Sequence, residues 1–329
     1  MRLLSLITIL VIGSGAGYRV RIWRAGHDLR EARAAVHENR SDAAIAAYRR
    51  HLLRTPADTA VRLELAGVLK TRNPDAALKE LRAVPLDRIE AESAARQIAV
   101  ISLELGRDYD ALGPLLWLVE RRPEDPSLQL ALAEIRFRAH DYEAALEHAQ
   151  RRRELLPTEV DSYLLIADAL DELKRPSEMV EPLQAALQID PELAQAHLNL
   201  AYALQQIDRN DEARVHVEWF LHRHPDVAAA HRILALIERS EGNADVALAS
   251  VREALRLQPH GFEANLLEVE LLLYVRRADE AHLRLSELTK RFGDERRLLA
   301  LQVQAAALSG RTDEARQFEL RLKRLGGVD

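Results

Sequence analysis

Apolar residues recur at helical spacing along most of the chain. In the stretch AHLNLAYAL, Leu198, Ala201 and Leu204 recur at helical spacing. In DEARVHVEWFL, Ala213, Val217 and Phe220 do the same. A short polar segment separates the two stretches. Leucine, alanine, glutamate and arginine dominate the composition, which favours helices over strands. The pattern predicts pairs of amphipathic helices joined by tight turns.

The predicted helix pairs repeat at intervals of 34 residues. Five successive prolines mark the end of the second helix, and Gly293 stands at the next position of the series. The prolines are Pro123, Pro157, Pro191, Pro225 and Pro259. Because proline cannot continue a helix, each one separates two neighbouring pairs.

Two small residues stand at fixed places in every pair. The position ten residues after each proline is alanine in seven of nine repeats, and the position twenty-two residues after it is alanine in eight of nine, with Met179 as the exception. Small side chains allow paired helices to approach closely, and a larger one there should cost ~1–3 kcal/mol by overpacking. The nine repeats begin near residues 25, 59, 92, 126, 160, 194, 228, 262 and 296.

A 34-residue period with two phased small positions resembles the tetratricopeptide repeat (TPR) family. The resemblance covers about residues 25–329. It implies an all-α fold, a right-handed superhelical solenoid of helix–turn–helix TPR units. It also implies a non-enzymatic scaffold or adaptor for protein–protein interaction.

In this family the concave surface, lined by the first helix of each repeat, binds partners. The phase of the repeats assigns Glu134, Phe137, Arg138, Asp168, Asp171, Asn199, Tyr202, Gln205, Gln206 and Arg232 to that surface as partner-binding residues. Asp161, Arg239, Glu263 and Glu270 fall in the same phase. Since the central part is acidic and rich in amides, we expect it to bind a protein or peptide that carries lysine or arginine.

Residues 1–24 form a separate segment. Leu3–Ile12 is strongly apolar, residues 3–18 are uncharged, and Arg19, Arg21 and Arg24 follow. One interpretation is a single-pass N-terminal transmembrane anchor, with the arginines at the membrane surface. The other is a signal peptide cleaved after Ala16, which would release a periplasmic or secreted protein. An apolar segment before nine repeats resembles the membrane-anchored TPR proteins of bacteria.

The sequence lacks the residues of several other functional classes. There is no cysteine, so thiolate metal sites and cysteine nucleophiles are excluded, and no nucleotide-binding or hydrolase motif occurs. The net charge of −6 argues against nucleic-acid binding. His197 and His231 share one phase, which favours packing over metal binding. We therefore predict no cofactor, no metal site and no enzymatic activity. A self-assembling array remains the alternative to a scaffold for other proteins.

Local sequence predicts two further features of the helices. Gly106, Gly242 and Gly310, with Asn39, stand between the paired helices, where a left-handed residue commonly ends a helix. Pro114 and Pro182 fall inside second helices, and we expect a late start or a kink in each.

Overall fold

The computed structural model of the protein describes residue 21 and residues 23–325. The described residues are helical, without strands, and they form two compact units that divide at Leu155 and Leu156. The predicted apolar segment at residues 3–18 lies outside the described residues. Among those that are described, no helix is long and apolar enough to cross a lipid bilayer.

The N-terminal unit consists of four repeats. Each repeat is a pair of antiparallel helices that are neighbours in the sequence. Its helices are α1 (residues 23–37), α2 (Ser41–Arg54), α3 (Thr59–Leu69), α4 (Pro74–Arg82), α5 (Ala91–Glu104), α6 (Asp108–Arg121), α7 (Pro126–Arg138) and α8 (Tyr142–Leu155). Each helix packs against the next one along the chain, and buried apolar residues form two clusters that both include residues of α5.

The C-terminal unit consists of five repeats of the same design. Its helices are α9 (Val160–Glu172), α10 (Pro176–Ile189), α11 (Ala194–Gln206), α12 (Asn210–Arg223), α13 (Ala228–Ser240), α14 (Ala244–Leu257), α15 (Phe262–Tyr274), α16 (Ala278–Phe292), α17 (Arg296–Leu308) and α18 (Thr312–Leu325). First helices also contact the next first helix, as α11 does with α9 and α13. The exposed residues of α9, α11 and α13 are called the first-helix face below.

The two small positions are buried between the paired helices, as predicted. Ala201 and Ala213 in the sixth repeat have no exposed surface, and neither has Val269, which replaces alanine in the eighth repeat. Met179 is also buried and fills the second small position of the fifth repeat. The helix pairing in this chain therefore tolerates moderate enlargement at some of these positions.

Eight of the nine turns inside the repeats share one backbone conformation, whereas the turn between α3 and α4 has no residue with a positive φ angle. The predicted left-handed residues have positive φ angles, which are 67° at Gly106, 82° at Gly242 and 57° at Asn39. The four other residues at this phase are not glycines but adopt the same conformation, and they are His140, Lys174, Asp208 and Arg276. The next backbone N–H closes each turn, as Arg209 does on the Leu204 carbonyl at 2.9 Å.

A side chain six residues after each proline holds the loop between repeats. Its donor bonds the proline carbonyl in five successive repeats, through Gln129, Tyr163, His197, His231 and Asn265. Because a proline that ends a helix leaves its carbonyl without a helical partner, the donor satisfies a group that would otherwise be unpaired. The shared phase of His197 and His231 is explained by this structural role.

Of the two outcomes expected at Pro114 and Pro182, the late start is wrong, and the kink stays a prediction. α6 begins at Asp108 and α10 at Pro176, in phase with the other second helices, and each contains its proline in the interior. Each proline removes one backbone donor, which a helix held by tertiary packing can lose without being displaced.

The second helix of the second repeat is shorter than its equivalents. α4 has 9 residues, whereas α2, α6 and α8 each have 14. Pro85 explains the difference, because it stands four residues before the usual proline phase and prevents the last turn from forming. Residues 83–90 consequently form a loop with exposed Leu86 and Ile89.

Candidate protein-interaction surface

The first-helix face of the C-terminal unit carries a cluster of polar residues from two adjacent first helices. Asp168 and Asp171 lie one turn apart on α9, and Asn199 and Tyr202 lie one turn apart on α11. Asn199 Nδ2 donates to Asp168 Oδ1 at 3.3 Å, and Asp171 is close enough to the Tyr202 hydroxyl for its charge to act on that group. These four residues are called the acidic cluster below.

The acidic cluster has an excess of negative charge. Within residues 23–325, neither Asp168 nor Asp171 forms an ion pair with a lysine or arginine. Although Asp168 is exposed at its tip, the surrounding protein reduces its hydration, and this effect, followed by the Asp171 charge, raises the pKa of Asp168. Burial, followed by the Asp171 charge, raises the pKa of Tyr202. A cation placed here would relieve this repulsion.

The other predicted residues of this face lie at its edges. Gln205 and Gln206 are bonded to each other at 2.8 Å near the end of α11. Arg232 on α13 is close enough for its charge to act on the Tyr202 hydroxyl. Asp161 is exposed near the start of α9.

Several predicted surface charges are already paired with the neighbouring repeat. Arg239 NH1 lies 2.7 Å from Glu270, and Arg297 NH1 lies 2.9 Å from Glu263. Because exposed pairs of this kind contribute little stability and compete with a ligand, these residues are weaker candidates for binding than the acidic cluster.

The three predicted residues of the N-terminal unit lie on α7. Arg138 forms a two-point ion pair with Asp108 at 2.7 and 3.1 Å, and the Phe137 ring packs edge-on against Tyr142 with centroids 5.3 Å apart. Glu134 is exposed. Arg138 and Phe137 therefore have structural contacts that the repeat phase does not indicate.

A grouping of possible metal ligands occurs near the start of the described residues. His27, Asp28 and Glu31 bring ligand atoms within 4.8 Å of one another. Both carboxylates are neutralised by arginines, Asp28 by Arg50 and Arg54 and Glu31 by Arg50. The grouping is therefore an ion-pair network between α1 and α2.

The hydrogen bonds of His197 define the protonation state of a histidine pair. His197 Nε2 lies 3.1 Å from the Pro191 carbonyl, which can only accept, so this nitrogen carries the proton. His197 Nδ1 must then accept from His216 Nδ1, which lies 2.9 Å away. Burial and the proximity of His197 lower the pKa of His216, while Glu212 acts in the opposite direction.

We expect stability to fall in mild acid through this pair. Because the folded-state pKa of His216 lies below the ordinary value of 6.5, the unfolded chain binds protons more readily than the folded chain as the pH falls below 6.5. Urea unfolding at about pH 7.5 and pH 5.5 should show that the free energy of unfolding falls more between these pH values for the wild type than for His216→Gln. Equal losses in both proteins would contradict this assignment. His148, whose pKa is also lowered by burial, is unchanged in both proteins and so forms a common background.

Comparisons with known proteins identify the repeats. Family models described as tetratricopeptide repeat match residues 160–193, 195–262 and 266–329, just over half of the chain. A comparison of the sequence with curated proteins found no match.

PilW and PilF, two proteins of known structure, share the fold of this chain. The chain is similar to PilW, a type IV pilus biogenesis factor, with 17% identity and a TM-score of 0.54 over 65% of this chain and 99% of that one. PilF of Pseudomonas aeruginosa has 21% identity and a TM-score of 0.52 over 62% of this chain and 93% of that one. YrrB, described as a TPR protein with an unusual peptide-binding site, has 14% identity and a TM-score of 0.43 over 66% of this chain and 95% of that one.

The repeat phase, the geometry of the helix pairs and the family matches agree. TPR domains bind other proteins or peptides, and TPR proteins are typically non-enzymatic scaffolds. This chain belongs to the tetratricopeptide repeat family.

Proposed function

We propose that the protein is a non-enzymatic scaffold whose first-helix face binds a segment of a partner protein that carries lysine or arginine. The observation that supports this most directly is the acidic cluster. Two carboxylates without basic partners lie beside a tyrosine and an amide, and one of them has a raised pKa. A lysine ammonium or arginine guanidinium between Asp168 and Asp171 would gain charge-assisted hydrogen bonds from both.

The mechanism is recognition of an extended peptide by side chains. The carboxylates supply the charge that orients the peptide, while Asn199 and Gln205 offer amide groups that can donate or accept. Tyr202 offers an aromatic ring beside its hydroxyl, which suits contact with the apolar stem of a lysine or arginine. Arg232 marks the edge where a negative group on the peptide would be favoured.

A defined pair of peptides tests the charge requirement. Fluorescein-labelled AAKAAKAA should bind the protein, whereas AAEAAEAA should not. The double variant Asp168→Asn, Asp171→Asn should lower the affinity for the lysine peptide by about tenfold, which corresponds to ~1.4 kcal/mol of binding free energy. Fluorescence anisotropy in low salt measures the affinities, because screening weakens exposed charge interactions.

The matched control changes two exposed carboxylates away from this face. Asp211 and Asp245 lie in the first turns of α12 and α14, and Asp211→Asn with Asp245→Asn removes two negative charges from the same unit. This control should leave the affinity for the lysine peptide unchanged. Equal losses in the control and in the Asp168→Asn, Asp171→Asn variant would show that only net charge matters, and the proposal would then be wrong.

The natural partner can then be sought with a stronger block. Cross-linked affinity capture would compare the wild type with a variant carrying Asp168→Lys, Asn199→Ala, Tyr202→Ala and Gln205→Ala. A partner lost by the variant would place binding on the first-helix face. Partners captured equally by both would place binding elsewhere.

We also propose that residues 1–24 tether the scaffold to a bacterial membrane, as a single-pass anchor. The support is the apolar run Leu3–Ile12 followed by Arg19, Arg21 and Arg24. A tether would raise the local concentration of the repeats near membrane proteins. Intact mass spectrometry of the membrane fraction should give a chain that begins at Met1, whereas a chain shortened after Ala16 would indicate an exported protein.

A further inference from the structure

Trp117 and Trp219 occupy the same position of their repeats, three repeats apart. Each is followed four residues later by an arginine that covers one face of its ring. The guanidinium carbon of Arg121 lies 3.7 Å from the Trp117 ring centroid, and that of Arg223 lies 3.9 Å from the Trp219 centroid. The two sites therefore allow a direct internal comparison.

The other face of Trp219 is covered by a second ring of the protein. The His197 imidazole stacks on it with a centroid separation of 3.7 Å and an interplanar angle of 11°. Since both His197 and Arg223 lie within 4 Å of the same ring centroid, they must cover opposite faces. His216 packs against His197 and completes the filling of this place.

At Trp117 the equivalent residues have no rings. Ala95 stands at the position of His197, and Pro114 stands at the position of His216. Within residues 23–325, no aromatic ring of the protein contacts Trp117. Ala95, Pro114 and Trp117 line a cavity of about 500 Å³, called the Trp117 pocket below.

Two other features of the sequence keep the Trp117 pocket open. Pro85 removes the last turn of α4, and the loop that replaces it contributes Leu86, which lines the pocket and is 66% exposed. Gly113 stands inside α6, where a Cβ atom would meet open space. Alanine there would stabilise the helix by about 1 kcal/mol, so glycine enlarges the pocket at the expense of stability.

We propose that the Trp117 pocket binds an aromatic side chain of a partner peptide. The ring would stack on the face of Trp117 that His197 covers on Trp219. The cavity is larger than one ring, so a neighbouring apolar side chain of the peptide would lie against Leu86. Arg82, the charged residue in the lining, would bond an acidic group of the peptide.

The charge of the lining favours this peptide over a basic one. Arg82 is paired with Asp110 at 3.2 Å, and both side chains are substantially exposed. An exposed pair of this kind is weak and can exchange Asp110 for a carboxylate of the ligand. The Trp117 pocket thus differs from the acidic cluster in its location, its apolar character and the charge that it selects.

Two pentapeptides that differ only in the ring test the proposal. The full-length protein is titrated with acetyl-DLFLD-amide and with acetyl-DLALD-amide by isothermal titration calorimetry. We expect the phenylalanine peptide to bind with a Kd below roughly 1 mM and the alanine peptide to bind at least about tenfold more weakly.

Ala95→His is the most specific way to block the pocket, because it introduces the ring that His197 supplies in the sixth repeat. It should weaken binding of the phenylalanine peptide by at least about tenfold. Gly113→Phe provides an independent block from the other wall, where the added side chain enters open space. Thermal unfolding shows which of the two blocking variants keep the wild-type fold. Only the affinities of those folded variants are used to judge the proposal. The double variant Asp168→Asn, Asp171→Asn should bind the phenylalanine peptide as the wild type does.

Three results would overturn the proposal. Equal affinities of the two peptides would show that the ring is not recognised. Unchanged affinity in both folded blocking variants would show that the peptide binds elsewhere. A dimer in light scattering that Ala95→His dissociates would show that a second copy of the chain occupies the pocket.

Discussion

Arg214→Met should destabilise the C-terminal unit by about 3 kcal/mol. Arg214 on α12 donates to Glu238 on α13 at 2.6 Å and to Glu241 at 2.7 Å. Glu238 is 6% exposed, and its remaining partner is the Asn243 amide at 2.9 Å. Without the arginine, a buried carboxylate would lose its counter-ion, and removing one partner of such a pair costs far more than the pair itself contributes.

The measurement is the shift of the urea unfolding curve at neutral pH. Arg209→Met serves as the control, because the Arg209 side chain, at the N-cap of α12, forms an exposed pair with Glu212, and its loss should cost less than about 0.5 kcal/mol. The double variant Arg214→Met, Glu238→Leu should recover much of the loss. Equal effects of Arg214→Met and Arg209→Met would mean that Glu238 is hydrated in the folded protein.

The pH dependence of the same variant supplies an independent check. The hydrogen bond from Arg214 is the main cause that lowers the pKa of Glu238 from its ordinary value of 4.5. This contribution to stability is complete above 4.5 and is lost as the pH falls through the folded-state pKa. The difference between wild type and Arg214→Met should therefore narrow in acid.

The repeat phase predicted the features that depend on backbone geometry. Prolines at a fixed interval located the ends of the second helices, and glycine or asparagine located the left-handed turns. His140 and Arg276 adopt the same turn conformation without being glycine or asparagine, so residue type alone did not reveal them. Their phase in the repeat did contain that information, because the turn is imposed by packing of the paired helices.

The side-chain partners were harder to predict from the sequence. Arg138 pairs with Asp108 and Arg239 with Glu270, each across 30 or 31 residues, because long side chains reach the neighbouring repeat. The direction in which each side chain extends depends on the partners that compete for it. The position of a residue in the repeat does not specify that direction. The acidic cluster could be placed by phase, whereas its lack of a basic partner required the structure.

The residues that form the Trp117 pocket were visible in the sequence, but the sequence alone did not predict a pocket. The prediction required a comparison of equivalent repeats in the structure. Pro85 is out of phase by four residues, and Ala95 stands where His197 stands three repeats later. Neither residue is unusual by itself. Their common effect is an uncovered face on the Trp117 ring. It becomes apparent only by comparison with Trp219, whose equivalent face is covered by His197.

Ala201→Leu should destabilise the same unit by roughly 3 kcal/mol, near the upper end for overpacking of a core. Ala201 lies on α11 and has no exposed surface, and Ala213 on the partner helix α12 is equally buried. A leucine would place its branched end between two helices that are held together on both sides by neighbouring repeats. The helices must then separate, or the new side chain must leave its preferred rotamer.

Ala201→Val separates this steric cost from the loss of a helix-favouring residue. The eighth repeat has Val269 at the same position, also with no exposed surface, so the helix pair can accommodate two further methyl groups there. We expect Ala201→Val to cost less than about 1 kcal/mol in urea unfolding, mostly through its lower helix propensity. Gln206→Leu, on the exposed end of α11, adds the same leucine without a packing conflict and should be nearly neutral. If Ala201→Leu were as mild as the valine variant, the spacing of the paired helices would not depend on the small positions, and the periodic alanines would need another explanation.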